Sequence, residues 1–291
     1  MKVMITGAAG QLGRELLACA PAPMQCYPLD RAQLDIADTE AVEQWLHELE
    51  PALVINSAAY TAVDKAEEEP DVARRANAAG PAAMAKACVK AGVRLIHLST
   101  DFVFDGHASI PYLPSSATSP LCEYGSSKLA GEQAVLATLP SAVVLRTSWV
   151  YSRHGHNFVK TMLRLMRERD SLSVVADQIG APTWAHGLAS ACWAAAERDS
   201  LAGIYHWSDA GVCSWYDFAV AICEEACALD LLPQPVAIQP ITTADYPLPA
   251  TRPAYSVLDK TDTWCELDLA PVHWRAQLRA MLQDLKENGD G

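Results

Sequence analysis

Basic residues are scarce in this sequence. Its 291 residues include 22 Lys and Arg against 35 Asp and Glu, so the formal net charge is −13 at pH 7. This acidic surplus repels the phosphates of nucleic acids and the headgroups of anionic membranes. We therefore expect neither a nucleic-acid nor a membrane partner, and an anionic ligand would need locally placed cations or helix N-termini.

Several other sequence signals are missing. No run approaches the roughly 18 apolar residues that a membrane-spanning helix needs. The nine cysteines include no Cys-x-x-Cys pair, and their odd number argues against a disulfide framework or a zinc site. The sequence enters an apolar segment at Lys2 without the pattern of a secretory leader. These features predict reduced thiols and a cytoplasmic location.

Short apolar runs alternate with amphipathic stretches over the first 150 residues. Strands separated by helices indicate βαβ units, and a run such as Leu53-Val54-Ile55 is typical of a strand covered on both faces. The sequence therefore predicts an α/β fold with a Rossmann-type, doubly wound, mostly parallel sheet. The predicted strands are 2–6, 25–29, 53–56, 94–99 and 142–147, and the predicted helices lie near 11–20, 39–49, 70–91 and 124–138.

The regularity weakens after about residue 150. A helix is predicted at 157–169 and another near 273–286, with proline-rich connections at 233–253. We expect an NAD(P)-binding domain at 1–150 and a smaller, less regular substrate domain at 151–291, which could exchange segments.

A glycine-rich segment, Gly7-Ala8-Ala9-Gly10-Gln11-Leu12-Gly13, follows the first predicted strand. Glycines at such a junction permit a tight turn and a close approach to a pyrophosphate, and the helix N-terminus attracts the phosphates. A purely structural turn would also explain three glycines. Their position in the first βαβ unit favours a dinucleotide site instead.

Cofactor preference depends on two neighbours after the second strand, Asp30 and Arg31. An acidic residue here binds the adenosine ribose and favours NAD, whereas an adjacent arginine receives the extra phosphate of NADP. Arg31 could also be a solvated surface charge. The sequence therefore predicts NADPH or NADH as cofactor without choosing between them.

Tyr124 and Lys128 stand four residues apart, on one face of a predicted helix. A nearby ammonium lowers the pKa of a phenol, which then donates its proton to a ketone oxygen as hydride arrives at carbon. Thr100, between Ser99 and Asp101, follows the fourth strand, where open α/β sheets bind ligands. Tyr-x-x-x-Lys alone is common, but with this strand end and the glycine segment it predicts a ketone reductase.

These motifs resemble the dTDP-4-dehydrorhamnose reductase family of extended short-chain dehydrogenase/reductases. The resemblance spans nearly the whole chain and is carried by segments 7–13, 56–67, 99–106, 124–132, 146–151, 157–158, 177–183 and 252–253, with Ser256 beyond. It implies reduction of the C4 ketone of dTDP-6-deoxy-L-lyxo-4-hexulose to dTDP-L-rhamnose with NADPH or NADH.

The same resemblance implies the roles of individual residues. Tyr124 would donate the proton, Lys128 would tune it and hold the nicotinamide ribose, and Thr100 would orient the carbonyl. Substrate contacts are expected from Thr100, Asp101, Phe102, Trp149, Asn157 and Arg252, the last pairing with the diphosphate. Cofactor contacts are expected from Gly7, Gly10, Gln11, Leu12, Asp30, Arg31, Asp35, Ile36, Ala58, Ala59, Tyr60, Ser99, Tyr124 and Lys128.

The sequence also departs from this family's pattern. Phe102 stands where the family usually has tyrosine, Pro114 where it usually has an acidic residue, and His186 lies in a stretch that carries a glutamate in metal-bridged dimers. We therefore expect no metal site, and either a monomer or a homodimer.

Two other functions stay open at this point. One is a related dTDP-4-keto-6-deoxyhexose reductase with another product, because Phe102 and the 107–118 loop are expected near the sugar. The other is a catalytically silent, NADP-binding regulatory subunit, against which Thr100, Tyr124 and Lys128 are all present.

Overall fold

A computed structural model describes residues 1–289. Its strands are β1 (Lys2–Thr6), β2 (Gln25–Leu29), β3 (Leu53–Asn56), β4 (Arg94–Thr100), β5 (Val143–Thr147), β6 (Val150–Tyr151), β7 (Ser171–Val175), β8 (Ile179–Gly180), β9 (Thr183–Trp184), β10 (Gly203–Trp207), β11 (Cys213–Ser214) and β12 (Ala237–Ile241). Its α-helices are α1 (Gln11–Ala18), α2 (Thr39–Leu49), α3 (Val63–Glu68), α4 (Pro70–Arg74), α5 (Gly80–Ala91), α6 (Glu123–Thr138), α7 (Phe158–Glu168), α8 (Ala185–Ala196), α9 (Trp215–Ala228), α10 (Thr261–Leu267) and α11 (Trp274–Asn288).

Six parallel strands form the main sheet, in the order β10-β5-β4-β3-β1-β2. The predicted α/β fold with a doubly wound parallel sheet is therefore confirmed. Local signals fix two helix ends: Asp38 caps α2 by accepting the Ala41 N–H at 3.1 Å, and Gly92 follows α5 with φ +67°. Across residues 1–289, no helix combines the length and hydropathy that a membrane crossing requires.

Apolar side chains on both faces of the sheet explain its burial. On one face, Met4, Val54, Leu95 and Val144 belong to a core cluster with residues of α2 and α5. On the other, alternating residues such as Val3 and Ile55 pack with α1 and α8. Helices on both faces are what βαβ connections produce, and they leave the carboxyl ends of the strands open for a site.

The sixth strand comes from the later half of the sequence. β10 pairs with β5 from Gly203↔Val143 to Trp207↔Thr147, and α8 packs against α1. The main sheet is thus built from segments on both sides of residue 150. The division into domains at that residue stays a prediction.

The remaining segments form a second core around α7, α9 and α11. Phe158 and Ile222 contribute to it, together with the parallel pair β7–β12. Local signals fix its helices: Asn157 caps α7, and Ser214 with Asp217 forms a capping box on α9. This second core borders the carboxyl edge of the main sheet.

Candidate active site

The predicted cofactor and catalytic residues lie on loops and helix starts that follow β1, β2, β3 and β4. Because parallel strands end at one edge of the sheet, residues from four separate sequence segments share that edge. They are Gly7, Gly10, Gln11 and Leu12 after β1, Asp30, Arg31, Asp35 and Ile36 after β2, Ala58, Ala59 and Tyr60 after β3, and Ser99, Thr100, Asp101 and Phe102 at or after the end of β4.

The glycine segment forms a tight cradle at the start of α1. Gly7 has φ +69°, and a Cβ there would lie 2.6 Å from the Ala58 backbone nitrogen. The Gly10 N–H donates to Gly7 O at 2.9 Å, and Gly10 begins α1 without a side-chain cap. The uncapped helix N-terminus therefore offers N–H groups to an anion. This geometry fits the pyrophosphate of a dinucleotide.

The residues after β2 have local partners of their own. Asp30 Oδ1 accepts the N–H groups of Ala32 at 2.8 Å and Gln33 at 3.1 Å, which shapes the turn beside exposed Arg31. Asp35 pairs with Arg75 at 2.8 Å. Ile36 is buried and packs where Gly80 leaves room for it. Asp30 and Arg31 thus stand together at the edge, whereas Asp35 and Ile36 have structural contacts that the sequence did not indicate.

Asn77, which sequence reasoning missed, joins the cofactor edge to the catalytic helix. It is fully buried in a π-helical turn at Arg75–Ala79, a type of turn that often marks functional sites. Its side-chain amide accepts from Tyr60 N at 2.9 Å and donates to Tyr60 O at 3.0 Å and to Ser127 Oγ at 3.1 Å. Ser127 Oγ donates to Tyr124 O at 2.8 Å.

Thr100 and Tyr124 meet at the carboxyl edge. α6 begins at Glu123, whose N–H donates to the Glu67 carboxylate at 2.8 Å, so the helix places Tyr124 in its first turn. The side chains of Tyr124 and Thr100 interact at this edge, and Thr100 Oγ1 donates to Asp101 Oδ1 at 3.0 Å. Burial raises the pKa of Asp101 to about 6. A carbonyl oxygen beside these hydroxyls would have two polarising partners.

Lys128 is hydrogen-bonded to the backbone of β4. Its Nζ donates to Leu98 O at 2.6 Å. Burial raises the pKa of Tyr124 and outweighs the opposing interaction with Thr100, so the expected lowering of that pKa is wrong for this structure. Burial also lowers the pKa of Lys128 to about 8. The phenol is therefore held in its protonated form, one helical turn from an ammonium that faces β4.

A small pocket lies next to Tyr124. Phe102 contacts Tyr124 edge to face with ring centroids 5.5 Å apart. Trp149 stacks on Trp215 with centroids 3.5 Å apart, and its φ of +48° is a strained conformation for a bulky residue. Gly180 makes this placement possible, because a Cβ there would lie 2.6 Å from the Trp149 ring. The pocket is lined by Phe102, Trp149, Gln178, Trp215, Arg252, Pro253 and Ser256.

Arg252 lines this pocket while it pairs with Asp64 of α3. The ion pair contributes to a lowered pKa of the Asp64 carboxyl, for which the hydrogen bond from Arg252 is the main cause. The expected partner, a diphosphate, would therefore approach a guanidinium that is already oriented by a carboxylate.

A model of the RmlD substrate binding domain family matches residues 1–287. A dTDP-4-dehydrorhamnose reductase of Aggregatibacter actinomycetemcomitans is 42% identical over 285 residues, with 96% of this chain and 97% of the relative covered. The chain belongs to the dTDP-4-dehydrorhamnose reductase family. Its fold and its site can be compared with those of other members.

Two further relatives extend the comparison. A Bacillus anthracis dTDP-4-dehydrorhamnose reductase, solved in complex with NADP, superposes with a TM-score of 0.91 at 38% identity and covers 97% of this chain and 99% of its own. A probable dTDP-4,6-dihydroxy-2-methyloxan-3-one 4-ketoreductase of Streptomyces antibioticus is 42% identical over 293 residues, covering 98% and 96%. The name of the second relative specifies a different dTDP-sugar substrate.

Asn157, expected at the substrate, has hydrogen-bond partners within the chain. Its Nδ2 donates to Gln11 Oε1 at 2.9 Å and to Ser152 O at 2.6 Å, and its Oδ1 caps α7. These contacts tie α7 to the glycine cradle, because Gln11 is the first residue of α1. The predicted contact of Asn157 with the sugar remains a prediction.

The segment around His186, where we expect no metal site, contains an ion pair. Buried Glu15 accepts from Ser152 Oγ at 2.6 Å, and its Oε2 lies 3.6 Å from His186 Nδ1. The neighbouring Glu15 carboxylate raises the pKa of His186. Asp284 of α11 pairs with Arg153 at 3.0 Å. Within residues 1–289, no group of three or more His, Cys, Asp and Glu side chains is placed to hold a metal ion.

Proposed function

We propose that this protein reduces the C4 ketone of dTDP-6-deoxy-L-lyxo-4-hexulose to dTDP-L-rhamnose, with NADPH or NADH as reductant. The observation that supports this most is the meeting of Thr100 and Tyr124 at the carboxyl edge of the sheet, where Phe102 of the aromatic pocket contacts the Tyr124 ring. The relatives named as dTDP-4-dehydrorhamnose reductases and the NADP in one of their structures agree with it.

The cradle of Gly7 and Gly10 would hold the pyrophosphate, and the edge formed by Asp30 and Arg31 would hold the adenosine ribose. When bound, the nicotinamide supplies the hydride that adds to C4. Lys128 would reach the nicotinamide ribose from its position beside Leu98 O. These residues fix the cofactor at the carboxyl edge of the sheet, next to Tyr124.

Thr100 would turn its one hydroxyl proton from Asp101 Oδ1 to the C4 carbonyl oxygen, and Tyr124 would give that oxygen its phenolic proton. A phenol with a raised pKa is fully protonated at neutral pH, so it starts the reaction as the acid. Phe102 and Trp149 would cover the sugar, and Arg252 would meet the diphosphate from the pocket wall. Together these groups orient the ketone and complete its reduction to an alcohol.

The Tyr124→Phe variant tests the mechanism. Loss of a positioned acid should lower turnover by roughly 10²- to 10⁴-fold while NADPH binding stays nearly unchanged. Tyr246→Phe, a change at an exposed tyrosine, is the matched control and should keep full activity. A fully active Tyr124→Phe enzyme would remove this phenol from the reaction.

A related reductase with another sugar is the second candidate, favoured by the 42% identity to the Streptomyces antibioticus ketoreductase. Supplying dTDP-glucose with the upstream dehydratase and epimerase, followed by this protein and NADPH, separates the two. The proposal expects dTDP-L-rhamnose. A C4 epimer would favour the second candidate, and NADPH binding without turnover would indicate a regulatory subunit.

A further inference from the structure

A row of buried polar side chains crosses one face of the main sheet near its carboxyl edge. Thr6 Oγ1 donates to Asn56 Oδ1 at 2.7 Å, and Asn56 Nδ2 lies 3.1 Å from His97 Nδ1. Across β5 and β10 the row continues with Arg146, whose Nη1 lies 3.5 Å from His206 Nε2. Buried polar groups of this kind are costly unless each one has a partner.

Two residues of α6 pack onto this row. Lys128 and Glu132 are four residues apart, so they share one face of the helix, and they are only 2% and 1% exposed. Lys128 Nζ donates to Leu98 O of β4 at 2.6 Å. Glu132 accepts from Arg146 of β5 through Nε at 2.9 Å and Nη2 at 2.7 Å. β4 and β5 are adjacent strands, with Ser99 opposite Arg146.

The groups around Lys128 have a definite charge pattern. Tyr124 and Glu132 share its helix, His97 lies on β4, Arg146 on β5 and His206 on β10. Burial lowers the pKa of His206 to about 3 and that of His97 well below its usual value, so both are neutral at pH 7. Tyr124 is neutral as well. Glu132 is therefore the anion of this group, and its charge opposes the effect of burial on the pKa of Lys128.

We propose that Glu132 and Arg146 are positioning residues for Lys128. The carboxylate of Glu132 keeps the buried ammonium charged, and Arg146 holds that carboxylate at β5 through two hydrogen bonds while it offsets part of the carboxylate charge. Lys128 Nζ thereby stays directed at Leu98 O and the cofactor edge. This inference rests on the proposed function, because it requires Lys128 to hold the nicotinamide ribose next to Tyr124.

The test is the pH profile of kcat/KM for the dTDP-sugar in three variants. In Glu132→Gln the lysine loses its anion, so the high-pH limb should move down by about one unit. In Arg146→Gln the negative charge of Glu132 is no longer partly offset by a cation, so the high-pH limb should move up. The double variant should return it toward the wild-type position. A folding defect would not move the limb in opposite directions.

Two controls keep the outcomes separate. Thermal unfolding and NADPH binding check that each variant is folded, because a single change leaves one buried charge unpaired. If a single variant does not fold, the double variant decides: its kcat should fall roughly ten- to a hundredfold, and an unchanged kcat overturns the inference. If the high-pH limbs of the two single variants do not move, or move in the same direction, the inference is also overturned.

Lys128→Met distinguishes this inference from the proposed function. A fully active Lys128→Met enzyme contradicts the proposed mechanism itself. If Lys128→Met is inactive but changes at Glu132 and Arg146 do not move the high-pH limb, the proposed mechanism stands. Only the positioning role of Glu132 and Arg146 is then removed.

Discussion

Arg252 donates to both carboxylate oxygens of Asp64, through Nη1 to Oδ1 at 3.0 Å and Nη2 to Oδ2 at 2.7 Å. The two residues are 188 positions apart in the sequence. The Ala250 N–H also donates to Asp64 Oδ1, at 3.2 Å. One carboxylate on a short helix thus fixes both the backbone and the guanidinium at one wall of the aromatic pocket.

This arrangement predicts an effect on substrate binding. Arg252→Lys keeps the charge but loses the planar, two-point geometry. We expect the KM for the dTDP-sugar to rise roughly tenfold while kcat changes less, because the proposed diphosphate contact would be lost in ground state and transition state alike. Steady-state kinetics measure both constants. A variant with a lower Tm and an unchanged KM would make Arg252 a structural residue instead.

Arg31 is expected to read the extra phosphate of NADPH. It is exposed beside Asp30, where the turn leaves its guanidinium in solvent. Arg31→Ala should weaken NADPH binding roughly tenfold, the usual size of a lost charge-assisted hydrogen bond, and should leave NADH binding nearly unchanged. Titration with both cofactors gives the comparison. Equal losses would show that Arg31 does not contact the phosphate.

Asp209 should make stability depend on pH. Burial raises its pKa to about 8, although the Trp184 N–H donates to its carboxylate at 3.0 Å. Between about pH 4 and pH 8 the folded protein therefore holds a proton that the unfolded chain has lost, and the contribution of Asp209 to stability falls as pH rises.

The Asp209→Asn variant isolates this effect. The free energy of unfolding of the wild type, minus that of the variant, should fall by about 1.4 kcal/mol per pH unit between pH 5 and pH 7.5. Urea unfolding at several pH values measures it. A difference that stays constant with pH would mean that the Asp209 carboxyl is ionised in the folded protein throughout.

Chelation should leave the enzyme active. Magnesium prefers several oxygen ligands, and here Glu15 is engaged by Ser152 and His186. We expect the same turnover with EDTA as with added magnesium, and the same sedimentation coefficient in both. A dimer that forms with magnesium alone would contradict this expectation.

The strands β1, β3, β4 and β5 were predictable because each contains a short apolar run that is covered on both faces. β10 was not, since Gly203–Trp207 includes His206 and has no apolar run, although its last two residues are buried. α8 and α9 were missed for a related reason. Helices with apolar residues on most of their surface lack the periodicity that marks an amphipathic helix.

The site residues likewise divide into those that the sequence predicted and those that it did not. Gly7, Thr100, Tyr124 and Lys128 belong to contiguous motifs whose spacing has a chemical meaning. Trp215 was missed because the stacking that makes it useful joins it to a residue 66 positions earlier in the chain (215 − 149 = 66). The hydrogen bond from Lys128 to a backbone carbonyl likewise depends on the packing of α6, which no spacing reveals.

Because β10 comes late in the sequence, truncated chains should behave differently from the full chain. A fragment ending at residue 150 would retain the glycine cradle and Tyr124, but the outer edge of β5 would have no partner for its N–H and C=O groups. Unpaired edges of this kind recruit strands from other molecules. Such a fragment should therefore aggregate, and during synthesis the nascent chain should stay vulnerable until residue 207 has emerged from the ribosome.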